Sequence, residues 1–134
     1  GRFAADDGRT RWLGVTVKSG AYILALNGRR ELREPTFCES HFRSGSVIDL
    51  VGAGDSFRAG LVGRVAKDAE AFRAGTLDPV EAVQCGNLMA AVYITSPLEH
   101  RYRMIPTLDA LGAAVKSGKV FGTAEELRAA LHRD

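Results

Sequence analysis

A glycine-rich turn between a β-prone run and an amphipathic stretch constrains the fold of this chain more than any other feature. Residues 46–50 form a short, mainly apolar run with two β-branched residues, which is typical of a buried strand. Residues 52–54 (Gly-Ala-Gly) predict a sharp turn after it. We expect Asp55 to open a helix that places Phe57 and Leu61 on one face. Strand, tight turn and helix in this order form an α/β unit.

The segment before this unit is β-rich. Two β-prone runs, residues 13–17 and 22–26, flank the turn signal Lys-Ser-Gly at 18–20. Residues 31–35 predict a third, exposed strand, because the proline at its end cannot donate to a ladder. We treat residues 1–11 as a loose lead-in and residues 12–134 as one domain.

The segment after the unit is helical. Asp78 as N-cap, followed by Pro79 and by Glu81 at the third helical position, predicts a buried helix that runs to about residue 95 and ends before a proline. A further helix follows residue 106 and stops at a Ser-Gly pair. The last helix begins at Thr123, with Glu126 completing a capping box.

Composition narrows the possible classes of protein. The 134 residues carry a formal net charge of +2, which is too small to indicate a nucleic-acid partner. The longest apolar run, residues 88–94, is far shorter than a membrane span, so we expect no membrane association. Cys38 and Cys85 are too few for a disulfide scaffold or a zinc cluster, which predicts two buried thiols and a cytoplasmic location.

The glycine turn also carries the chemistry that the sequence predicts. The backbone N–H groups of Gly52, Ala53 and Gly54, at the N-terminus of a helix, form an anion site. A carboxylate beside such a site would repel a statically bound phosphate, but Asp55 can accept a proton from a hydroxyl that attacks a phosphoryl group. A Walker loop is excluded because no lysine follows the glycines, and Phe57 stands where a dinucleotide fingerprint needs a small residue.

A purely structural alternative exists for these residues. Asp55 alone could be an ordinary N-cap, and the glycines an ordinary tight turn. The catalytic hypothesis requires the carboxylate to face solvent instead of lying buried behind the turn. It also leads us to expect that Gly54 adopts a conformation that only glycine permits.

This stretch resembles the second signature of the PfkB family of carbohydrate kinases, which have the ribokinase-like fold and commonly read D-T-V-G-A-G-D-x-F. Seven defining positions match, namely Asp49, Val51, Gly52, Ala53, Gly54, Asp55 and Phe57. Residues 15–20 resemble the family strand that ends in K-x-G, residues 85–91 its small-residue helix beside the adenine, and residues 106–109 its lead into the last helices. The resemblance covers most of residues 12–112.

The resemblance implies a fold and a reaction. It implies an α/β, ribokinase-like layered sheet with flanking helices, of which this chain is the C-terminal, nucleotide-side part. It further implies ATP-dependent phosphoryl transfer to a sugar or nucleoside hydroxyl, with Mg²⁺ bridging the phosphates. The implied roles are a catalytic base at Asp55, an anion hole at Gly52, Ala53 and Gly54, ATP contacts at Lys18, Gly20 and Asn87, and a metal-phosphate contact at Asp49.

Three departures from the family pattern qualify these expectations. Leu50 replaces a hydroxyl residue beside Asp49. Residues 97–100 replace the small residues that follow the adenine-side helix, and this second departure argues against monovalent-ion activation. Nothing in the chain resembles the family's N-terminal, sugar-binding half. The chain is therefore expected either to pair with such a half or to form a homodimer. The alternative is a non-catalytic nucleotide-binding or scaffolding remnant that lacks the substrate half.

Overall fold

The computed structural model describes residues 9–29, 31–42 and 52–131. Its strands are β1 (Trp12–Val17), β2 (Gly20–Ala25) and β3 (Leu32–Glu39). Its α-helices are α1 (Ala53–Lys67), α2 (Ala69–Ala74), α3 (Pro79–Thr95), α4 (Leu108–Ser117) and α5 (Ala124–Leu131), and a 3₁₀ helix (Leu98–Met104) lies between α3 and α4. The order confirms a β-rich segment followed by helices.

The strands form an antiparallel sheet in the order β1-β2-β3. The β1–β2 hairpin turns at Lys18 and Ser19, where the sequence predicts it. The third strand is longer than expected, because it continues through Pro35 to Glu39. Pro35 is tolerated because β3 lies at one end of the strand order and its pairing with β2 is irregular between Ile23 and Ala25.

The two faces of this sheet have different environments. On one face Ala21, Ile23 and Cys38 are buried with Phe57 of α1 and Val83 of α3. On the other face, apolar side chains such as Val15, Tyr22 and Phe37 are exposed, and the rings of the last two lie 5.0 Å apart. The alternation of strand side chains therefore sends one apolar set into the core and leaves a second on the surface.

The helices after α1 follow their local signals closely. Asp78 caps α3, since its carboxylate accepts a hydrogen bond from the Val80 N–H at 2.9 Å. The last helix is capped by Thr123, whose hydroxyl accepts from the Glu126 N–H at 3.1 Å. Helix α2 was not predicted. It is short and follows directly on α1, and its Phe72 ring packs against Trp12 in a T-shaped arrangement, with centroids 4.9 Å apart.

Helix α1 lies unusually close to α3. A β-carbon on Gly60 would lie 2.7 Å from the Cys85 carbonyl oxygen, and one on Gly86 would lie 2.8 Å from the ring of Phe57. Only glycine leaves room for this contact between the two backbones. The contact fixes where the N-terminus of α1 lies relative to α3.

The described residues form a mixed α/β arrangement that consists of this small antiparallel sheet and its helices. The run at residues 46–50, which the sequence predicts as the strand before the glycine turn, lies outside the described residues.

A second core joins α3, α4 and α5 around Leu88, Leu111 and Leu127. Among the described helices, none has both the length and the apolar character needed to cross a bilayer.

The orientation of the sheet can be tested by placing threonine on each face. Ile23→Thr should lower the free energy of unfolding by about 2–4 kcal/mol, because it leaves a cavity and buries a hydroxyl. Val15→Thr, which keeps the β-branched shape on the exposed face, should change it by less than about 0.5 kcal/mol. Denaturant unfolding of both variants gives the comparison, and equal costs would show that the faces are assigned wrongly.

Candidate active site

Helix α1 begins in the glycine turn itself. Gly52 is the N-cap, with φ 88° and ψ 0°, and the helix starts at Ala53. The prediction that Asp55 opens the helix is therefore wrong by two residues. The left-handed conformation of Gly52 lets the chain turn directly into the helix at Ala53.

Gly52, and not Gly54, is the position in this turn that requires glycine. Gly52 has a positive φ, and a β-carbon on it would lie 2.7 Å from Cε1 of Tyr93. Gly54 is helical, and among the described residues no atom outside the adjoining backbone of its own helix lies within 4 Å of where its β-carbon would be. The expectation that Gly54 adopts a glycine-only conformation is wrong, because Gly54 is already inside the helix.

The first turn of α1 presents backbone donors at its open end. Ser56 N–H makes the first intrahelical hydrogen bond, to the Gly52 carbonyl at 2.9 Å. The N–H groups of Ala53, Gly54 and Asp55 precede it and have no intrahelical acceptor, and Gly52 supplies no side-chain cap. The helix dipole places partial positive charge at the same end. This arrangement can bind an anion, and the missing side chain of Gly54 leaves open space beside it.

The carboxylate of Asp55 lies on the solvent side of this turn. Its side chain is 84% exposed, so it is accessible to a reacting group. Asp55 is not the N-cap, because Gly52 holds that position, whereas the tight turn that the structural alternative also predicts is present at Gly52. Asp55 forms an ion pair with Arg58 at 3.2 Å. An exposed pair of this kind contributes little to stability, so it holds the carboxylate weakly.

Gly20 and Asn87 both lie close to the Cys38 carbonyl, near the end of β3. The side-chain Nδ2 of Asn87 donates to the Cys38 carbonyl at 3.2 Å and to Oε1 of Gln84 at 3.0 Å. A β-carbon on Gly20 would collide with the same Cys38 carbonyl. Asn87 is buried, and its amide is used within the protein. Gly20 and Asn87, both predicted to contact ATP, therefore help to hold the end of β3 against α3.

The other predicted ligands differ in how far the structure describes them. Lys18 is exposed in the β1–β2 turn, two residues before Gly20. Asp49, the predicted metal-phosphate contact, lies outside the described residues. Within residues 9–29, 31–42 and 52–131, no three His, Cys, Asp or Glu side chains are grouped as metal ligands.

The two thiols are buried and free, as the sequence predicts. Burial raises the pKa of the Cys38 thiol, and the charge of Asp78 adds to this effect. Burial likewise raises the pKa of the Cys85 thiol, against the opposing effect of Arg64. A raised pKa keeps a thiol protonated and unreactive, so neither cysteine suits a nucleophilic role.

Two residues of this region were not assigned to the site from the sequence. Arg58 is exposed on α1, and its ion pair with Asp55 follows from their i, i+3 spacing. Tyr93 contacts Gly52 from the last turn of α3. No local pattern indicates the second contact, because the two residues are far apart along the chain.

The two turn glycines should respond oppositely to alanine. Gly52→Ala should lower the free energy of unfolding by about 1–3 kcal/mol, since it forces a side chain into a left-handed conformation against Tyr93. Gly54→Ala should raise it by about 0.5–1 kcal/mol, because alanine is the better helix former and the space is open. Thermal or denaturant unfolding measures both, and a loss at Gly54 as large as at Gly52 would contradict this geometry.

The hydrogen bond from Asn87 to the Cys38 carbonyl can be tested with an isosteric change. Asn87→Asp replaces the donating Nδ2 by an oxygen that faces the Cys38 carbonyl, so we expect a loss of more than about 2 kcal/mol at neutral pH. Denaturant unfolding at pH 7 measures the loss. A variant as stable as the original protein would show that Asn87 does not donate to Cys38.

A comparison with protein families identifies the family of this chain. The family model described as pfkB family carbohydrate kinase matches residues 18–100, which is more than half of the chain and includes the hairpin turn, the glycine turn and α3. No match to a curated protein or to a solved structure reached significance. The chain belongs to the pfkB family of carbohydrate kinases.

Proposed function

We propose that this chain is the nucleotide-side catalytic part of a kinase that transfers the γ-phosphoryl group of ATP to a hydroxyl of a sugar or nucleoside. In this proposal the described sheet and helices belong to a ribokinase-like layered fold. Family membership supports the carbohydrate-kinase class. The finer assignment depends on the residues of the glycine turn.

One observation carries this assignment. The exposed Asp55 carboxylate stands on the third residue of a helix whose N-cap, Gly52, has no side chain to cap the first-turn N–H groups. An acid in that position can take a proton next to a site that holds negative charge. The open space beside Gly54 provides room for a phosphoryl group close to the backbone.

In the proposed step one proton is transferred, one bond to phosphorus forms and one bond to phosphorus breaks. The acceptor oxygen forms a bond to the γ-phosphorus, while the bond between that phosphorus and the bridging oxygen of ADP breaks. The acceptor hydroxyl gives its proton to the carboxylate of Asp55. The N–H groups of Ala53, Gly54 and Asp55 stabilise the charge on the transferred oxygens, because they are fixed in place before the reaction begins.

The remaining predicted residues serve the nucleotide in this proposal. Exposed Lys18 is available to contact a phosphate, whereas Gly20 and Asn87 act by holding the end of β3 against α3. Mg²⁺ neutralises charge between the phosphates and commonly uses one or two protein carboxylates, so a grouped ligand set is not required. We propose Asp49 for that carboxylate.

The acceptor must be recognised by residues other than those described above. We propose that a sugar-binding half completes the site, supplied by a further segment or by a second subunit. The competing function is a nucleotide-binding remnant without catalytic output. The two proposals differ in one measurable respect, because a remnant binds ATP without transferring its phosphate.

The role of Asp55 predicts a specific kinetic defect. In the protein that contains this chain, Asp55→Asn should lower kcat by about 10²–10⁴-fold, because no group then accepts the acceptor proton. The affinity for ATP should change little, since the backbone donors stay in place. Transfer from radiolabelled ATP to a panel of sugars and nucleosides measures kcat, and calorimetry measures ATP binding.

Asp109→Asn is the matched control. Asp109 is likewise exposed, in the first turn of α4, and it pairs with Lys67, which holds the pKa of its carboxyl below the usual value. This variant should keep full turnover. Turnover that survives Asp55→Asn would refute the assignment of the base, and ATP binding without any turnover in the unmodified protein would support the remnant.

A further inference from the structure

The ring of Tyr93, in α3, lies against Gly52 in the glycine turn. A β-carbon on Gly52 would lie 2.7 Å from Cε1 of Tyr93, 3.1 Å from its Cζ and 3.1 Å from its hydroxyl oxygen. The edge of the ring therefore lies against the Cα of Gly52. Tyr93 is itself half-buried in the last turn of α3.

Gly52 needs such an external constraint. N-cap residues are usually Ser, Thr, Asp or Asn, whose side chains hydrogen-bond to the first turn and so fix its geometry. Gly52 has no side chain for this purpose, and glycine populates positive and negative φ about equally. Its left-handed conformation must therefore be selected by its surroundings, and Tyr93 lies in direct contact with it.

The helix that carries Tyr93 is well anchored at this end. The Ser96 hydroxyl donates to the Val92 carbonyl at 2.5 Å, and the Thr95 hydroxyl donates to the Ala91 carbonyl at 2.8 Å. Arg128 of α5 donates to the Thr95 carbonyl at 2.7 Å. The last turn of α3 thus provides a fixed platform against which the glycine turn is held.

We propose that Tyr93 is a positioning residue of the phosphoryl-transfer site. Its ring holds Gly52 in the left-handed conformation, and this conformation aims the first-turn N–H groups and the Asp55 carboxylate. The proposal rests on the proposed function for its consequence in turnover. Its structural part concerns only the contact between Tyr93 and Gly52 and can be measured without turnover.

Hydrogen exchange at Ser56 reports on this contact directly. The Ser56 N–H donates to the Gly52 carbonyl, so a loosened turn exposes it to exchange. Tyr93→Ala should raise the exchange rate of the Ser56 N–H at least tenfold, whereas Tyr93→Phe, which keeps the ring, should change it less than threefold. The Leu111 N–H, which makes the same first bond of α4 to the Thr107 carbonyl, should be unaffected in both variants.

Kinetics of the same variants test the consequence for the reaction. Tyr93→Ala should lower kcat at least tenfold with a smaller change in KM for the acceptor, and Tyr93→Phe should restore turnover to within about threefold of the original protein. If Tyr93→Ala does not fold, Tyr93→Met keeps apolar volume without the ring edge and permits the same comparison. A defect in KM alone would argue against a positioning role.

The results separate this proposal from the proposed function. Ser56 exchange in Tyr93→Ala (or Tyr93→Met) that equals exchange in Tyr93→Phe would overturn the positioning role, whatever the turnover. Faster exchange restricted to the glycine turn, in a protein that transfers no phosphate, would uphold the contact and refute the proposed function instead. Equal acceleration at Ser56 and Leu111 would show general loosening and would also overturn the proposal.

Discussion

The close contact between α1 and α3 is the constraint on which the rest of the site depends. Gly60 and Gly86 remove the side chains that would separate the two helices, and Phe57 fills the space beside Gly86. Because the helices touch backbone to backbone, the N-terminus of α1 has a defined position relative to the end of α3. That position brings Gly52 against Tyr93 and leaves the Asp55 carboxylate facing solvent.

Helix α3 contacts both the sheet, at the end of β3, and the glycine turn. Near its middle, the buried amide of Asn87 holds the Cys38 carbonyl at the end of β3, and the Gln84 side chain donates to the Glu39 carbonyl. At its end lies the contact with Gly52. A single rigid helix therefore positions both the hairpin that carries Lys18 and the turn that carries Asp55.

Local signals explain how much of this arrangement the sequence predicts. The β1–β2 hairpin and the capped helices that follow Asp78 and Thr123 lie where predicted, because neighbouring residues decide them. The start of α1 and the need for glycine at Gly52 are not predicted, because no local pattern indicates which turn glycine takes the left-handed conformation or that distant Tyr93 lies against it. Helix α2 was missed for a similar reason, as its packing on Trp12 is not local.

The central claim is that the N-terminus of α1 holds the phosphoryl group. Titration of the ¹⁵N-labelled protein with ATP and Mg²⁺, followed through its backbone N–H resonances, tests this claim most directly. We expect the N–H resonances of Ala53, Gly54 and Asp55 to shift with a common saturation curve, while those of the equivalent first-turn residues of α4 stay in place. Saturable shifts elsewhere, with residues 53–55 unchanged, would contradict it.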